Sequence, residues 1–210
     1  MVGITDFITK MISTVAEPIM MEIGQHSGSD TEMLLSHLRV SRKPFRFFGF
    51  EPVPALYNRL TRFNAPNVQI FEMAIGQIDG EMPLFISDGP GPNGFRYDCS
   101  SSIRKPKNVC QLWPMITFSE SKTKCCRLDT FMQLHNVPRV DFIWADVQGA
   151  EIDMIIGMGS RIKDIRSLYT EFDDRELYEG ELRLDQITAL LPGWKIVNKD
   201  STDVLFQNMS

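Results

Sequence analysis

The chain of 210 residues predicts an open, doubly wound α/β sheet folded as a single domain. Three features carry that prediction. Apolar runs of strand length alternate with helical periodicities from end to end, several of the runs finish in a carboxylate, and the first opens into a glycine-bracketed turn. That first stretch reads Pro18-Ile19-Met20-Met21-Glu22-Ile23-Gly24-Gln25-His26-Ser27-Gly28-Ser29-Asp30. Its apolar run reaches Glu22, and the turn then leads into the helical pattern of residues 31–38. Strand, tight loop and helix start in that order form the nucleotide-binding corner of such a sheet. Gly24 is suited to a positive φ or to backbone contact with a ligand, and Gly28 to close helix packing.

Composition narrows the function class. With 43% hydrophobic and 23% charged residues the chain is an ordinary globular protein, long enough to bury a sizeable core. A formal net charge of −5 argues against a nucleic-acid partner, which needs a basic face. Two basic clusters, Arg39, Arg42, Lys43 and Arg46, then Arg104, Lys105 and Lys107, read as solvated surface. No apolar stretch approaches the length of a membrane span, and the amino terminus lacks the profile of a signal peptide, so a cytoplasmic protein is expected. The four cysteines, Cys99, Cys110, Cys125 and Cys126, show no C-x-x-C spacing and are expected to be reduced packing residues.

In chain order, residues 3–16 place Ile4, Phe7, Ile8, Met11, Ile12 and Val15 at spacings of three and four, an amphipathic helix that Pro18 ends. After the glycine corner and its helix, residues 45–50 form a second buried strand that stops at Glu51-Pro52. Pro52 and Pro54 start a helix with Leu56, Tyr57 and Leu60 inward. A third strand covers 68–74, and Asp79-Gly80 signals a hairpin into a strand at 82–86 that would pair with what precedes it. From Ser87 the texture becomes glycine-, proline- and serine-rich, so residues 87–120 are a loop-rich insert, expected to serve as a lid and substrate-recognition segment. Residues 128–134 are helical, 140–145 a fully buried strand, and 152–158 a helix following Asp146-Val147-Gln148-Gly149-Ala150-Glu151. Residues 165–170 give a strand ending at Glu171, 182–191 a helix, and 194–197 with 203–206 a terminal antiparallel pair.

The carboxyl ends of the strands in such a sheet line one crevice, so Glu22, Glu51 and Asp146 should converge there, with Glu171 as a fourth acidic tip. Dinucleotide chemistry fits poorly, because His26 and Ser29 stand where the G-x-G-x-x-G pattern needs glycine. A P-loop fails for want of a Gly-Lys-Ser/Thr run after Gly28. What remains is acidic-x-Gly-x-x-x-Gly, which repels phosphate and suits a ligand carrying positive charge. S-adenosylmethionine carries both an ammonium and a sulfonium. Glu51 lies where a ribose diol would be held, and it can accept from both hydroxyls.

Phe50-Glu51-Pro52, Ala74-Ile75-Gly76 with Asp79-Gly80-Glu81, Leu128-Asp129-Thr130, Asp141-Phe142-Ile143 and Asp146-Val147-Gln148-Gly149-Ala150-Glu151 together resemble the FkbM family of S-adenosylmethionine-dependent methyltransferases. The likeness runs from about residue 20 to residue 171. It implies a class I methyltransferase fold, a seven-stranded mixed sheet in the order 3-2-1-4-5-7-6 with helices on both faces, and O-methylation of a sugar, glycan or natural-product hydroxyl. Matched to the family pattern, Glu22, Gly24, Gln25, His26 and Gly28 form the cofactor loop, and Glu51 with Pro52 the ribose end. Glu72, Met73 and Ala74 lie beside the adenine, and Asp146 is the acid after the fourth strand. Gln148 is a departure, since the family usually carries Glu there.

Methyl transfer to a hydroxyl needs alignment and a proton acceptor. Asp146 is the first candidate base and His26 the second, while His37 and His135 read as surface or packing residues. Alternatively, Asp146 and Glu171 would share a divalent cation such as Mg, which suits oxygen ligands. Two other functions fit less well: a cofactor-binding module without catalysis, and a nicotinamide-dependent oxidoreductase.

Overall fold

The computed structural model describes residues 3–91 and 96–210. Among these, ten strands follow in chain order: β1 (Ile19–Ile23), β2 (Arg46–Phe50), β3 (Val68–Phe71), β4 (Ala74–Ile75), β5 (Gly80–Asp88), β6 (Thr117–Cys126), β7 (Phe142–Ala145), β8 (Ser167–Glu171), β9 (Trp194–Lys199) and β10 (Asp203–Asn208). Seven form one sheet in the order β3-β2-β1-β7-β8-β10-β9. Numbered along that sheet alone, the order is 3-2-1-4-5-7-6, as the family resemblance implied. The pairs from β3 to β8 are parallel, and β10 runs antiparallel to both its neighbours. The helices are α1 (Ile4–Thr14), α2 (Ser29–Val40), α3 (Pro54–Leu60), α4 (Val109–Leu112), α5 (Leu128–Leu134), α6 (Glu151–Met158) and α7 (Leu184–Ala189).

Two helical layers cover the sheet because successive strand residues point to opposite faces. Met20, Phe47 and Phe142 lie side by side and pack with Ile8 and Ile12 of α1 and Leu34, Leu35 and Leu38 of α2. One residue further on, Met21, Phe48 and Ile143 pack with Phe131 and Met132 of α5 and Met154 and Met158 of α6. Burial on both faces is why these strands read as unbroken apolar runs. His135 stacks on Phe131 with ring centroids 4.2 Å apart, a packing role. No helix among the described residues is long and apolar enough to cross a membrane.

The strands after β3 differ from the sequence expectation. The run 68–74 divides: β3 ends at Phe71, the chain bends, and β4 joins a separate three-stranded sheet ordered β4-β6-β5. Nor does β5 turn back on what precedes it. It pairs antiparallel with β6, from Gly80 opposite Cys125 to Asp88 opposite Thr117. Asp79 explains the misreading, because its carboxylate makes no hairpin turn and instead accepts the amide of Arg127 and the hydroxyl of Thr130, both at 2.8 Å. That arrangement anchors the start of α5. β6 was hidden because its residues are mostly exposed and polar, with only Thr123 and Cys125 buried. The insert is therefore shorter than expected, an excursion over residues 89–116 between two paired strands.

The basic clusters are in part solvated surface, as Arg39 and Arg42 are exposed, and in part tied down. Lys43 Nζ donates to the carbonyls of Ile12, Ser13 and Val15 at 2.8 Å each, closing the end of α1, and Arg46 donates to the carbonyls of His135 and Asn136. Arg104 pairs with the buried carboxylate of Asp153, Lys105 with Glu179, and Lys107 with Glu176. Long side chains with several donors are suited to collecting such orphan carbonyls and acids. Lys43→Met, which keeps most of the apolar stem, should lower unfolding stability by about 1 kcal/mol, read from urea midpoints at constant slope. An unchanged midpoint would show that the three carbonyls are equally well served by water.

Candidate active site

The site begins with a backbone crossing. Gly24, the residue after β1, has φ 86°, and a Cβ built there would lie 1.8 Å from the Asp146 carbonyl oxygen at the end of β7. Gly24 N donates to the Phe50 carbonyl, Glu51 N to that of Phe71, and Asp146 N to that of Ile23. The ends of β1, β2, β3 and β7 are thus joined in a continuous seam. Above it opens a cleft walled on its apolar side by Phe50, Leu56, Met73, Ile75, Val147 and Ala150. Ala74 and Pro52 also line it, and among the described lining residues there is no lysine or arginine.

Glu51 occupies the tip of β2. Its two carboxylate oxygens accept the backbone amides of His26 and Val53, each at 2.8 Å, while burial pushes its carboxyl up to about 6. Each oxygen keeps a further lone pair, so a diol can still be received. His26 has φ 48°, and its Nε2 lies 2.8 Å from Asp98 Oδ1 of the insert. The insert also brings Cys99, Ser101, Ser102 and Ile103 to the wall.

Asp146 also lines the cleft, partly buried, and burial together with neighbouring Asp30 raises its carboxyl above the usual range. Gln148 Nε2 donates to Asp146 Oδ1 at 2.7 Å and to Glu171 Oε2 at 3.2 Å, bridging the tips of β7 and β8. Burial, then the proximity of Asp146, pushes Glu171 up to about 9. The buried Tyr178 hydroxyl has one proton, which it directs to the Ser100 carbonyl at 2.7 Å, with Gln148 Oε1 a second, more distant acceptor at 3.2 Å. Its ring sits on Gly149, where a Cβ would come within 2.7 Å of it. Tyr178 thereby ties the insert to the loop after β7, and nothing in its own sequence neighbourhood signals this.

Other residues of the sequence-derived set sit around the cleft and not on it. Glu22 and Gln25 are buried beneath the glycine loop, outside the cleft lining. Gln25 Nε2 donates to Thr31 Oγ1 at 2.9 Å, and that hydroxyl donates to Glu22 Oε2 at 2.6 Å. The Gln25 amide also lies flat against Gly49, where a Cβ would be 2.2 Å from its oxygen. Gly28 has φ 82° and leaves room for Phe63 and Leu60. Glu72 is exposed, whereas Met73 and Ala74 line the cleft. Gln148 sits between the two acids that a cation would have to share, and among the described residues no group of three or more His, Cys, Asp or Glu is placed to hold a metal ion. Asp98 was missed from sequence because it lies in an irregular segment, 72 residues from the histidine it meets.

The sheet order, the glycine crossing and the acidic strand tips define a class I methyltransferase fold. A model of the FkbM methyltransferase domain matches residues 22–200. The chain belongs to the FkbM methyltransferase family. It is 35% identical over 184 residues to the 2-O-methyltransferase NoeI of Sinorhizobium fredii, a match covering 86% of this chain and 74% of that protein. A more distant relative, Methyltransferase 1 of Beauveria bassiana, is 26% identical over 66% of this chain and 59% of its own. Among solved structures, the FkbM methyltransferase of Methylobacillus flagellatus superposes with a TM-score of 0.54 at 16% identity, over 91% of this chain and 44% of that one. This chain thus spans less than half of that structure.

The buried Glu22 carboxyl is pushed up to about 8, chiefly by burial, from an ordinary value of 4.5. A folded-state value above the unfolded one means that Glu22 favours folding below about 4.5 and that this contribution is lost as pH rises through about 8. Glu22→Gln keeps the shape without the charge. It should raise the melting temperature at pH 9 by a few degrees, leave it nearly unchanged at pH 5, and flatten the pH dependence between them. Equal effects at both pH values would show that the carboxyl is ionised in the folded protein throughout.

Proposed function

We propose that the protein is an S-adenosylmethionine-dependent O-methyltransferase acting on a hydroxyl of a small molecule or glycan. One observation carries this: the cleft at the carboxyl edge of the sheet holds Glu51, Asp98 and Asp146, and no described lining residue is a lysine or arginine. Such a wall opposes a pyrophosphate and favours a cationic nucleoside. The 2-O-methyltransferase relative supports a hydroxyl acceptor. Free cysteines throughout the chain are consistent with a cytoplasmic enzyme.

The residues present fit the cofactor. Glu51, held by two backbone amides, would offer its spare lone pairs to the ribose hydroxyls. Phe50, Leu56, Met73 and Ala74 would supply an apolar bed for adenine, and Asp146 would supply negative charge for the cationic end. When bound, S-adenosylmethionine supplies an electrophilic methyl group on a sulfonium. The protein's own part is to align an acceptor oxygen, exclude water and take the hydroxyl proton; alignment alone can contribute about 7–11 kcal/mol. Asp146 and His26 are the two titratable groups on the wall suited to proton handling.

Glu51→Ala should weaken S-adenosylhomocysteine binding about 10- to 100-fold by calorimetry, the loss of charge-assisted hydrogen bonds to a diol. Unchanged affinity would remove Glu51 from the ribose. Asp146→Asn should lower turnover at least about tenfold while shifting that affinity less, because it removes charge where the transition state needs it. Turnover within a few-fold of wild type would deny Asp146 a role in the chemical step.

A further inference from the structure

We infer that His26 and Asp98 form a catalytic dyad, with the insert carboxylate orienting the imidazole that takes the acceptor's proton. The inference rests on the O-methyltransferase reading and adds to it a base and a positioning residue. His26 Nε2 lies 2.8 Å from Asp98 Oδ1, and both side chains are about one-third exposed or less, at 35% and 27%. A carboxylate only accepts, so this contact places the ring proton on Nε2 and leaves the Nδ1 lone pair to receive a proton. Among the described residues Nδ1 has no hydrogen-bond partner. The main chain of His26 is held as well, because His26 N donates to Glu51 Oε2 at 2.8 Å. The residue that would hold the cofactor ribose therefore also sets the backbone of the base.

Asp146 is less suited to this task. Gln148 Nε2 occupies its Oδ1, and the same amide is shared with Glu171. In the proposed step the acceptor oxygen bonds to the methyl carbon as its proton passes to His26 Nδ1. The S–C pair returns to sulfur, the donor departs as the neutral thioether, and the imidazolium gives its proton to solvent. Asp98 touches neither reactant and acts through His26.

The test uses the full chain with S-adenosylhomocysteine bound. Nitrogen-15 NMR of the three histidines, with His26 assigned by its loss in His26→Asn, should show an Nε2–H tautomer in wild type and mixed tautomers in Asp98→Asn. Asparagine tolerates the positive φ of position 26, so that variant keeps its backbone. With methyl hexopyranosides as acceptors, kcat should fall about 10²- to 10⁴-fold in His26→Asn, the usual worth of a positioned base, and by a smaller factor in Asp98→Asn. KM and S-adenosylhomocysteine affinity should change less than about threefold in Asp98→Asn, since a positioning role acts on the chemical step. With 4-nitrophenol, which ionises unaided, both variants should stay within about threefold of wild type, because no base is needed. An Nδ1–H tautomer in wild type, or an equal loss on both acceptor types, overturns the dyad while the methyltransferase reading stands. Failure of wild type to bind S-adenosylhomocysteine overturns that underlying reading instead.

Discussion

The site depends on how closely two strand ends approach at Gly24 and Asp146. A side chain at position 24 would collide with a main-chain carbonyl, not with a movable side chain, and the φ of 86° adds a second reason for glycine. β1 and β7 are neighbours in the sheet, and between them the chain reverses its direction of progress, from β2 and β3 on one side to β8 and beyond on the other. Connections leave such a point in opposite directions, so a crevice opens there. Because the crossing is tight, the crevice is narrow, and Glu51, His26 and Asp146 come to face one space although they sit on three separate loops.

The electrostatics follow from that crowding. Glu22, Glu51, Asp146 and Glu171 all come from the carboxyl edge of the sheet, and burial raises the carboxyl of each. Each has a separate arrangement for its oxygens. Glu22 is served by Thr31 and Gln25, Glu51 by two amides, and Asp146 and Glu171 by a shared glutamine. Gln148 is neutral where a carboxylate would add a third negative charge between two acids already resisting ionisation. In the proposed reaction a sulfonium and an ammonium entering this space would relieve part of the desolvation cost, which a phosphate would increase.

The central sheet was legible because parallel strands buried on both faces write themselves as apolar runs, and the acid after each run marked its carboxyl end. Met20 and Met21, or Phe47 and Phe48, show the limit of that reading, since both members of each pair are buried and alternation is invisible. Glu22 was legible as an acid but not as a buried one, because its fate depends on Thr31, nine residues away in the following helix. β6 was illegible for the opposite reason. Its residues face solvent and take strand form only by pairing with β5, so neither periodicity nor apolar content marks it. Asp98 and Tyr178 meet partners 72 and 78 residues away, and no local pattern encodes a contact at that range.

Those long-range contacts also decide how the insert reaches the chemistry. The amides of Lys107, Asn108 and Val109 all point to the Leu177 carbonyl, and Glu179 N donates to that of Lys105. Arg104 adds an ion pair to Asp153, whose side chain is almost wholly buried on α6. The insert and the loop following β8 are thus one built wall, and Tyr178 runs from that wall to Gln148. The described part of the insert therefore meets the cleft twice: Asp98 contacts His26, and the Ser100 carbonyl is joined through Tyr178 to Gln148, which serves Asp146 and Glu171. The crossing at Gly24 brings the ends of β1 and β7 together, and the insert then gives His26 and Asp146 each a further contact, direct for the first and through Gln148 for the second.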